Sequence, residues 1–213
     1  MWDMFSPTQA WDYVGGLSEP SKMPCYSYST SALNCHMGGK LRAVKGSVCE
    51  KCYAMRGNYR FENVAKAHAK RLQSIEKPFW VEAMTTAISY YEKSGFFRWS
   101  DSGDIQNSEH LRKICEIARR LPHVQFWLPT KEASLVSAFV KSGETFPPNL
   151  VVRLSAFMLG QKPSITLLNN LGIFGSAVSK KDWTCPAHTQ ENQCKSCRLC
   201  WDKNIKIITY HYH

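Results

Sequence analysis

Nine cysteines dominate the chemistry open to this 213-residue chain. Four form a C-terminal set, Cys185-x8-Cys194-x2-Cys197-x2-Cys200. Thiolates at successive x2 spacings let one loop wrap a metal centre. Such a run suits an iron–sulfur cluster, whose several irons share one loop. A single tetrahedral zinc ion usually takes its ligands as two separated pairs. The spacing therefore favours a [4Fe-4S] cluster, with zinc as the alternative and free thiols as the bland reading. His188 lies between Cys185 and Cys194 and is either a substitute ligand or an ordinary surface residue.

A second set lies near the N-terminus, Cys35-x13-Cys49-x2-Cys52, with Cys25 a candidate fourth member. Three thiolates on a four-iron cluster leave one iron open, and an open metal position is what catalysis uses. Four ligands would close the site for structure or electron transfer. Cys25 reads equally well as a small buried residue of the first strand. His36 follows Cys35 and is a minor ligand candidate. Cys115 sits beside Ile114 and Ile117 on the apolar face of a helix and reads as core.

The chain is too large to need disulfides, and Met1-Trp2-Asp3-Met4-Phe5 has neither a basic n-region nor an apolar h-region. Metal ligation in a reducing, cytoplasmic compartment is the expectation. No apolar run approaches the roughly 18 residues of a membrane span, so no membrane partner is expected. With 44% hydrophobic and 12% aromatic residues the chain can build a core, which excludes a disordered class.

The charge balance is 27 basic against 17 acidic residues, a net +10. Much of the excess lies between residues 40 and 71, in Lys40, Arg42, Lys45, Lys51, Arg56, Arg60, Lys66, Lys70 and Arg71. Only Glu50 and Glu62 oppose them, and Tyr53, Tyr59 and Phe61 are interleaved. Cations for phosphates beside aromatics for bases describe a nucleic-acid groove, with Lys40, Arg42, Lys45, Arg56 and Arg60 as its first candidates. A solvated basic face has the same composition.

Elements must position these groups. The chain reads as a single domain over 1–213: an irregular lead-in at 1–24, an N-terminal Cys loop at 25–60, βα units at 61–180, a C-terminal Cys loop at 181–203 and a last strand at 204–213. In the lead-in, Ser6-Pro7 starts one short helix that Gly15-Gly16 ends. Helices are expected at Phe61–Ile75, with Val64, Ala67, Ala69, Leu72 and Ile75 inward, and from Phe79 to Tyr91. Ser108 is expected to cap another, carrying Leu111, Ile114, Cys115, Ala118 and Leu121. Strand starts recur at residues 96, 124, 150 and 173, a spacing of about 23 to 28 residues that matches a βα unit. Short strands near 26 and 205 bring the total to about six. The expected class is α/β, a partial (β/α)6-type barrel or an open parallel sheet with two Cys-rich metal-binding loops; a mixed α+β fold is the alternative.

In parallel α/β folds, working residues gather at the carboxyl ends of strands. Here those ends carry Asp101, Ser102 and Asp104, then Thr130, Lys131 and Glu132, then Ser155, Ser179 and His211. Each alone reads as a cap or turn residue; their recurrence is the signal.

Together, several segments resemble the phage "gene product eighty-eight" family of Cys-rich proteins. They are Lys22-Met23-Pro24 with Ser27-Tyr28, Gly46-Ser47-Val48-Cys49-x-x-Cys52-Tyr53-Ala54, Asp101-Ser102-Gly103-Asp104, Thr130-Lys131-Glu132, Cys185-Pro186-Ala187 and Cys194-x-x-Cys197-x-x-Cys200-Trp201. The match runs from about residue 22 to 202. It implies a phage or prophage origin, cysteine-bound metal and a place in the cytoplasm of an infected host. A looser resemblance is to radical S-adenosylmethionine enzymes, which have a partial (β/α)6 barrel, three cysteines in a loop after the first strand, and often auxiliary clusters near the C-terminus. Their usual C-x3-C-x2-C spacing is C-x13-C-x2-C here. Asp101-Ser102-Gly103-Asp104 falls where that superfamily holds the cofactor's amino group.

Three functions follow as expectations. In the first, a radical enzyme acts on a nucleotide or nucleic acid and needs a reductant. Cys35, Cys49 and Cys52 would hold its cluster, and Cys185, Cys194, Cys197 and Cys200 a second one. Asp101, Ser102, Gly103 and Asp104 would contact S-adenosylmethionine, and Lys131, Glu132 and Arg153 would face the substrate. In the second, zinc or closed clusters staple a non-catalytic nucleic-acid-binding protein. In the third, an iron–sulfur redox or sulfur-transfer enzyme works without S-adenosylmethionine.

Overall fold

The computed structural model describes residues 4–212, so the reading of Met1–Asp3 and the final His213 lie outside the described residues. Six strands form one sheet: β1 (Ser27–Tyr28), β2 (Phe96–Trp99), β3 (Gln125–Thr130), β4 (Leu150–Ser155), β5 (Phe174–Ser179) and β6 (Ile207–His211). Every pairing is parallel, and the strand order is β1-β2-β3-β4-β5-β6. Parallel neighbours cannot be joined by a hairpin, so each gap must hold a crossover. Three helices fill the inner gaps: α5 (Ser108–Arg120), α6 (Ala133–Lys141) and α7 (Ile165–Asn170). The first crossover is longer and carries α2 (His36–Leu41), α3 (Glu62–Ser74) and α4 (Trp80–Tyr91). The last is the Cys-rich segment, with only short 3-10 turns. Crossovers of one hand between successive neighbours place their helices on one face. The fold is thus an open parallel α/β sheet with β1 and β6 as its edges, and the mixed α+β alternative falls. Among the described residues no helix is long and apolar enough to cross a membrane.

Alternation along the strands divides the sheet into two faces. Phe97, Trp99, Phe126, Leu128, Val152 and Leu154 join the main core with Trp80 and Ile88 of α4, Leu111 and Ile114 of α5, and Phe139 of α6. Cys115 is in this core too, as expected. α1 (Pro7–Val14) is closed by a Ser6/Gln9 capping box, ends at Gly15, and packs on α4. Tyr28 ties these helices to β1. Its hydroxyl lies 2.7 Å from the Val14 carbonyl and 2.7 Å from Ser74 Oγ, and accepts Trp80 Nε1–H at 3.3 Å.

Three local expectations are corrected. α5 is capped by Asn107, whose side chain accepts the His110 N–H at 2.8 Å, rather than by Ser108. α2 was not anticipated at all. At the C-cap of α3, Ile75 is buried as expected and Leu72 packs against the core, but Ala69 is exposed and His68, Arg71 and Ser74 are buried as well. Arg71 is turned inward because its guanidinium meets the Gly16 and Leu17 carbonyls and Ser18 Oγ at 2.9, 3.1 and 2.6 Å.

The opposite face carries Arg98, Trp127 and Arg153. Arg153 was expected to face a substrate; instead it is a clamp, 0% exposed. Its Nε donates to the Cys200 carbonyl at 2.9 Å. Its Nη1 reaches the Ile205 and Gly175 carbonyls at 2.8 and 3.3 Å, and its Nη2 those of Asp202 and Leu199 at 2.8 and 3.1 Å. One side chain thereby fixes the end of the Cys-rich segment to the centre of the sheet. Arg153→Met should cost about 3 kcal/mol, since it strands several buried carbonyls at once. Urea denaturation of the two proteins measures this, and a loss under about 1 kcal/mol, the size of an ordinary surface change, would refute the clamp.

Candidate functional site

The N-terminal cysteines sit over the carboxyl ends of the strands because three pins hold their loop there. At the end of β3, Glu132 Oε1 accepts the Met37 N–H of α2 at 2.7 Å. At the end of β2, Tyr59 donates to Asp101 Oδ2 at 3.0 Å and Tyr53, next to Cys52, donates to the Asp101 carbonyl. Past β4, Val48 N–H meets the Phe157 carbonyl at 2.8 Å and Leu159 N–H meets that of Gly46 at 3.0 Å. Glu132 was expected to face a substrate; its near carboxylate oxygen is spent on α2.

Cys35 and Cys49 converge above Gly38. A Cβ added at Gly38 would lie 2.9 Å from Cys35 Cβ, 3.6 Å from Cys35 Sγ and 3.7 Å from Cys49 Sγ. Any other residue there would fill the space between the two sulfurs. Burial pushes the Cys35 thiol up to about 12, helped by Asp104, Cys52 and Cys49 and opposed by Lys131. Burial also raises Cys49, while Lys131 pulls it down. The three thiols therefore share one neighbourhood with Asp104 and the Lys131 ammonium. Soft donors around open space, with a cation at hand to hold them as thiolates, fit a sulfur-ligated metal centre. Among the described residues no three Cys, His, Asp or Glu side chains form a ready-made site for a single ion.

The segment 101–104 is mostly occupied with itself. Asp101 Oδ1 accepts Ser27 Oγ at 2.5 Å and also Ser29 Oγ, and Oδ2 takes Tyr59. Asp104 accepts from Thr130 Oγ1 at 2.6 Å, Ile105 N–H at 2.8 Å and Lys131 N–H at 2.8 Å. Gly103 is structural: its φ is +79°, and a Cβ would lie 2.2 Å from Thr30 Oγ1. Ser102 is the exception, with a buried hydroxyl that has no partner. Of the four residues expected at a cofactor, Ser102 is the one whose side chain is wholly unpartnered.

The C-terminal cysteines span from one sheet edge to the other. Thr184 and Cys185 N–H groups bond the Thr209 carbonyl of β6 at 2.9 and 3.0 Å, and Cys194 N–H bonds the Lys22 carbonyl, ahead of β1, at 2.9 Å. Trp201 Nε1 reaches the Phe97 carbonyl at 3.0 Å. Cys185, Cys194, Cys197 and Cys200 lie near enough to perturb one another's ionisation. Burial pushes Cys200 up to about 12, against the Tyr210 hydroxyl 3.3 Å away. Cys25 belongs here and not with Cys35. It packs with Cys185, Cys200 and Trp127, and its charged neighbours include Cys194, Arg98 and Arg198. That leaves three thiols in the N-terminal set. His188 stacks on His211 at 3.6 Å, edge-on to Trp183.

Of the basic stretch, Lys40, Lys45, Lys51, Arg56, Arg60, Lys66 and Lys70 are exposed. Arg42 is half-buried and spends Nη2 on the Ala32 carbonyl at 2.9 Å, and Arg71 is buried. Phe61 and the ring of Tyr53 stand 58% and 54% exposed beside these cations. Residues missed in the sequence are Ser27 and Ser29, which hold Asp101, and Arg98, which stacks on Trp127 at 4.4 Å. The Ser-x-Ser pair on a strand was the available signal for the first; nothing local marked the second.

A family model described as gene product 88 matches residues 9–203. Neither a curated protein nor a solved structure matches the chain.

Asp104 makes the site sensitive to pH. Burial pushes its carboxyl up to about 6, with its three donors pulling the other way. Between about pH 4 and 6 the folded chain holds a proton that an unfolded one has lost. This contribution to stability is present at low pH and is lost as pH rises through about 6. The stability of the metal-free protein minus that of Asp104→Asn should therefore fall from about pH 4 to 7. Urea denaturation across that range checks it; a flat or rising difference would contradict the assignment.

Proposed function

The chain belongs to the phage gene product 88 family, and from that premise we propose that it is an iron–sulfur protein of radical S-adenosylmethionine type, acting on a nucleotide or nucleic acid. The observation that carries the reading is the placement of Cys35, Cys49 and Cys52, three thiols and not four, pinned over the carboxyl ends of a sequentially wound parallel sheet. Four-iron clusters with three thiolate ligands supply one-electron reductive cleavage of S-adenosylmethionine, given an external reductant.

The chain's own residues have defined tasks in this reading. Lys131 holds negative charge on Cys35 and Cys49. Asp104 orients the Lys131 backbone and Thr130 through its hydrogen bonds. Ser102 offers its free hydroxyl to a polar group of the cofactor. Asp101, locked by Ser27, Ser29 and Tyr59, fixes the loop that presents Ser102. Cys185, Cys194, Cys197 and Cys200 hold a second, closed cluster.

The exposed cations around Tyr53 and Phe61 support a nucleic-acid substrate, phosphates on the basic residues and bases on the rings. The same surface favours the second reading, a zinc-stapled binding protein without catalysis. Arg56→Gln with Arg60→Gln should weaken binding of a single-stranded oligonucleotide about tenfold at low salt and flatten its salt dependence. Fluorescence anisotropy measures this; unchanged affinity would remove nucleic acid from both readings.

Anaerobic purification with iron, sulfide and zinc analysis separates the two. Iron and sulfide, with 5′-deoxyadenosine formed from S-adenosylmethionine and dithionite and lost in Cys49→Ser, is the expected result. Iron-loaded, reduced protein that forms none would leave an iron–sulfur redox or sulfur-transfer enzyme. Stoichiometric zinc without colour would leave the binding protein.

A further inference from the structure

Three buried N–H groups without an acceptor lie in one neighbourhood: Arg98 Nε, Trp127 Nε1 and Arg198 Nε. All three are donors only, so each must find an acceptor or bear its desolvation unrelieved. Trp127 packs with Cys25, Cys185 and Cys200. Arg98 lies over the Trp127 ring at 4.4 Å, close enough to Cys25, Cys194 and Cys200 to perturb their ionisation, and Arg198 acts on Cys25. Lys22 adds a third positive group beside Cys185 and Cys194.

Arg98 is the centre of this arrangement. Among the described residues it forms no ion pair with a carboxylate at contact distance. Asp101 is near, but its carboxylate oxygens are held by Ser27, Ser29 and Tyr59. The guanidinium contact that remains in the direction of the C-terminal loop is Met23 Sδ, 3.1 Å from Nη1, a weak acceptor. A buried cation and unpaired N–H groups beside the C-terminal thiols call for an anion among those thiols.

We propose that Arg98 Nε, Trp127 Nε1 and Arg198 Nε donate hydrogen bonds to the sulfurs of a metal–thiolate group held by Cys185, Cys194, Cys197 and Cys200, and that Arg98 sets that group's reduction potential. Metal binding strips the thiol protons and leaves negative charge on sulfur. Hydrogen bonds to sulfur and nearby positive charge favour the reduced, more negative state and raise the potential. Arg98 is thus a positioning and tuning residue. The proposal rests on the iron–sulfur reading of the C-terminal set, which the same experiment tests separately.

The experiment uses full-length protein carrying Cys49→Ser, so that the C-terminal group alone gives the signal. Iron and sulfide are counted after anaerobic reconstitution, and the midpoint potential is measured by spectroelectrochemistry. Arg98→Met should keep its iron and shift the reduction equilibrium at least tenfold toward the oxidised form, a fall of 59 mV or more for one electron. Arg98→Lys, which keeps the charge, should recover part of the shift. Trp127→Phe removes one N–H with little change of shape and should lower the potential by less, which keeps the test open if Arg98→Met fails to fold. Iron-loaded variants with the parent potential would overturn the inference and leave the cluster reading intact. A parent that binds no iron would overturn both.

Discussion

A guanidinium taken out of water must be given acceptors, and the C-terminal third of this protein is arranged around that demand. Arg153 stands at the middle of β4 with no exposure, and its acceptors are backbone carbonyls: four from residues 199–205 and one from Gly175. Strand alternation decides that it points away from Val152 and Leu154, which are committed to the helix-side core. The turn carrying Cys200 and Trp201 is therefore held against the sheet by a charge that has nowhere else to go. Trp201 completes the attachment by donating to Phe97 of β2.

That face is unusually cationic for a buried surface. Arg98, Arg153 and Arg198 come together with Lys22 at its rim, and Asp101 is engaged by three hydroxyl donors. Burial disfavours charge on Arg98, yet its proton is held more tightly than usual because Tyr53, Asp101, Tyr210 and Cys200 surround it. The thiols are pushed the other way: burial raises Cys25, Cys35 and Cys200 to about 12. Without metal, each stays a neutral thiol. Under the proposed function, ligation by a metal would convert these thiols to thiolates where the cations lie. Lys131 would play the same part at Cys35 and Cys49.

Strand spacing made the sheet legible, because parallel pairing forces a crossover of nearly constant length. The strands at 96, 124, 150 and 173 lie within a residue or two of β2, β3, β4 and β5. The short helix α2 was hidden because His36-Met37-Gly38-Gly39-Lys40-Leu41 holds two glycines, poor helix formers; its start is anchored from outside by Glu132. Leu72 of α3 and its C-cap Ile75 face inward as expected; Arg71 was missed because an apolar count overlooks an arginine whose donors meet carbonyls just past α1. Glu132 was assigned to a substrate because position at a strand end indicates access; the partners of both Glu132 and Arg153 lie far off in the chain and leave no local trace. Cys25 was left open between a fourth N-terminal ligand and a buried residue; it is buried, and the sheet brings it to residue 194 rather than to Cys35.

What distinguishes a site from a scaffold here is where side chains are absent. At Gly103 the β2 loop presses on Thr30 so closely that a Cβ has no room, and this contact sets Ser102 and Asp104 on either side of it. Gly38 is tight as well: a Cβ there would lie 2.9 Å from Cys35 Cβ, so the glycine is what lets Cys35 and Cys49 come together over α2. The three pins, Glu132 among them, hold that pair of sulfurs over the carboxyl ends of the strands. In a parallel sheet those ends are where loops from several strands can reach one point. The sheet and its helices supply the rigidity, and the two cysteine loops are fastened to it by backbone hydrogen bonds and buried charges.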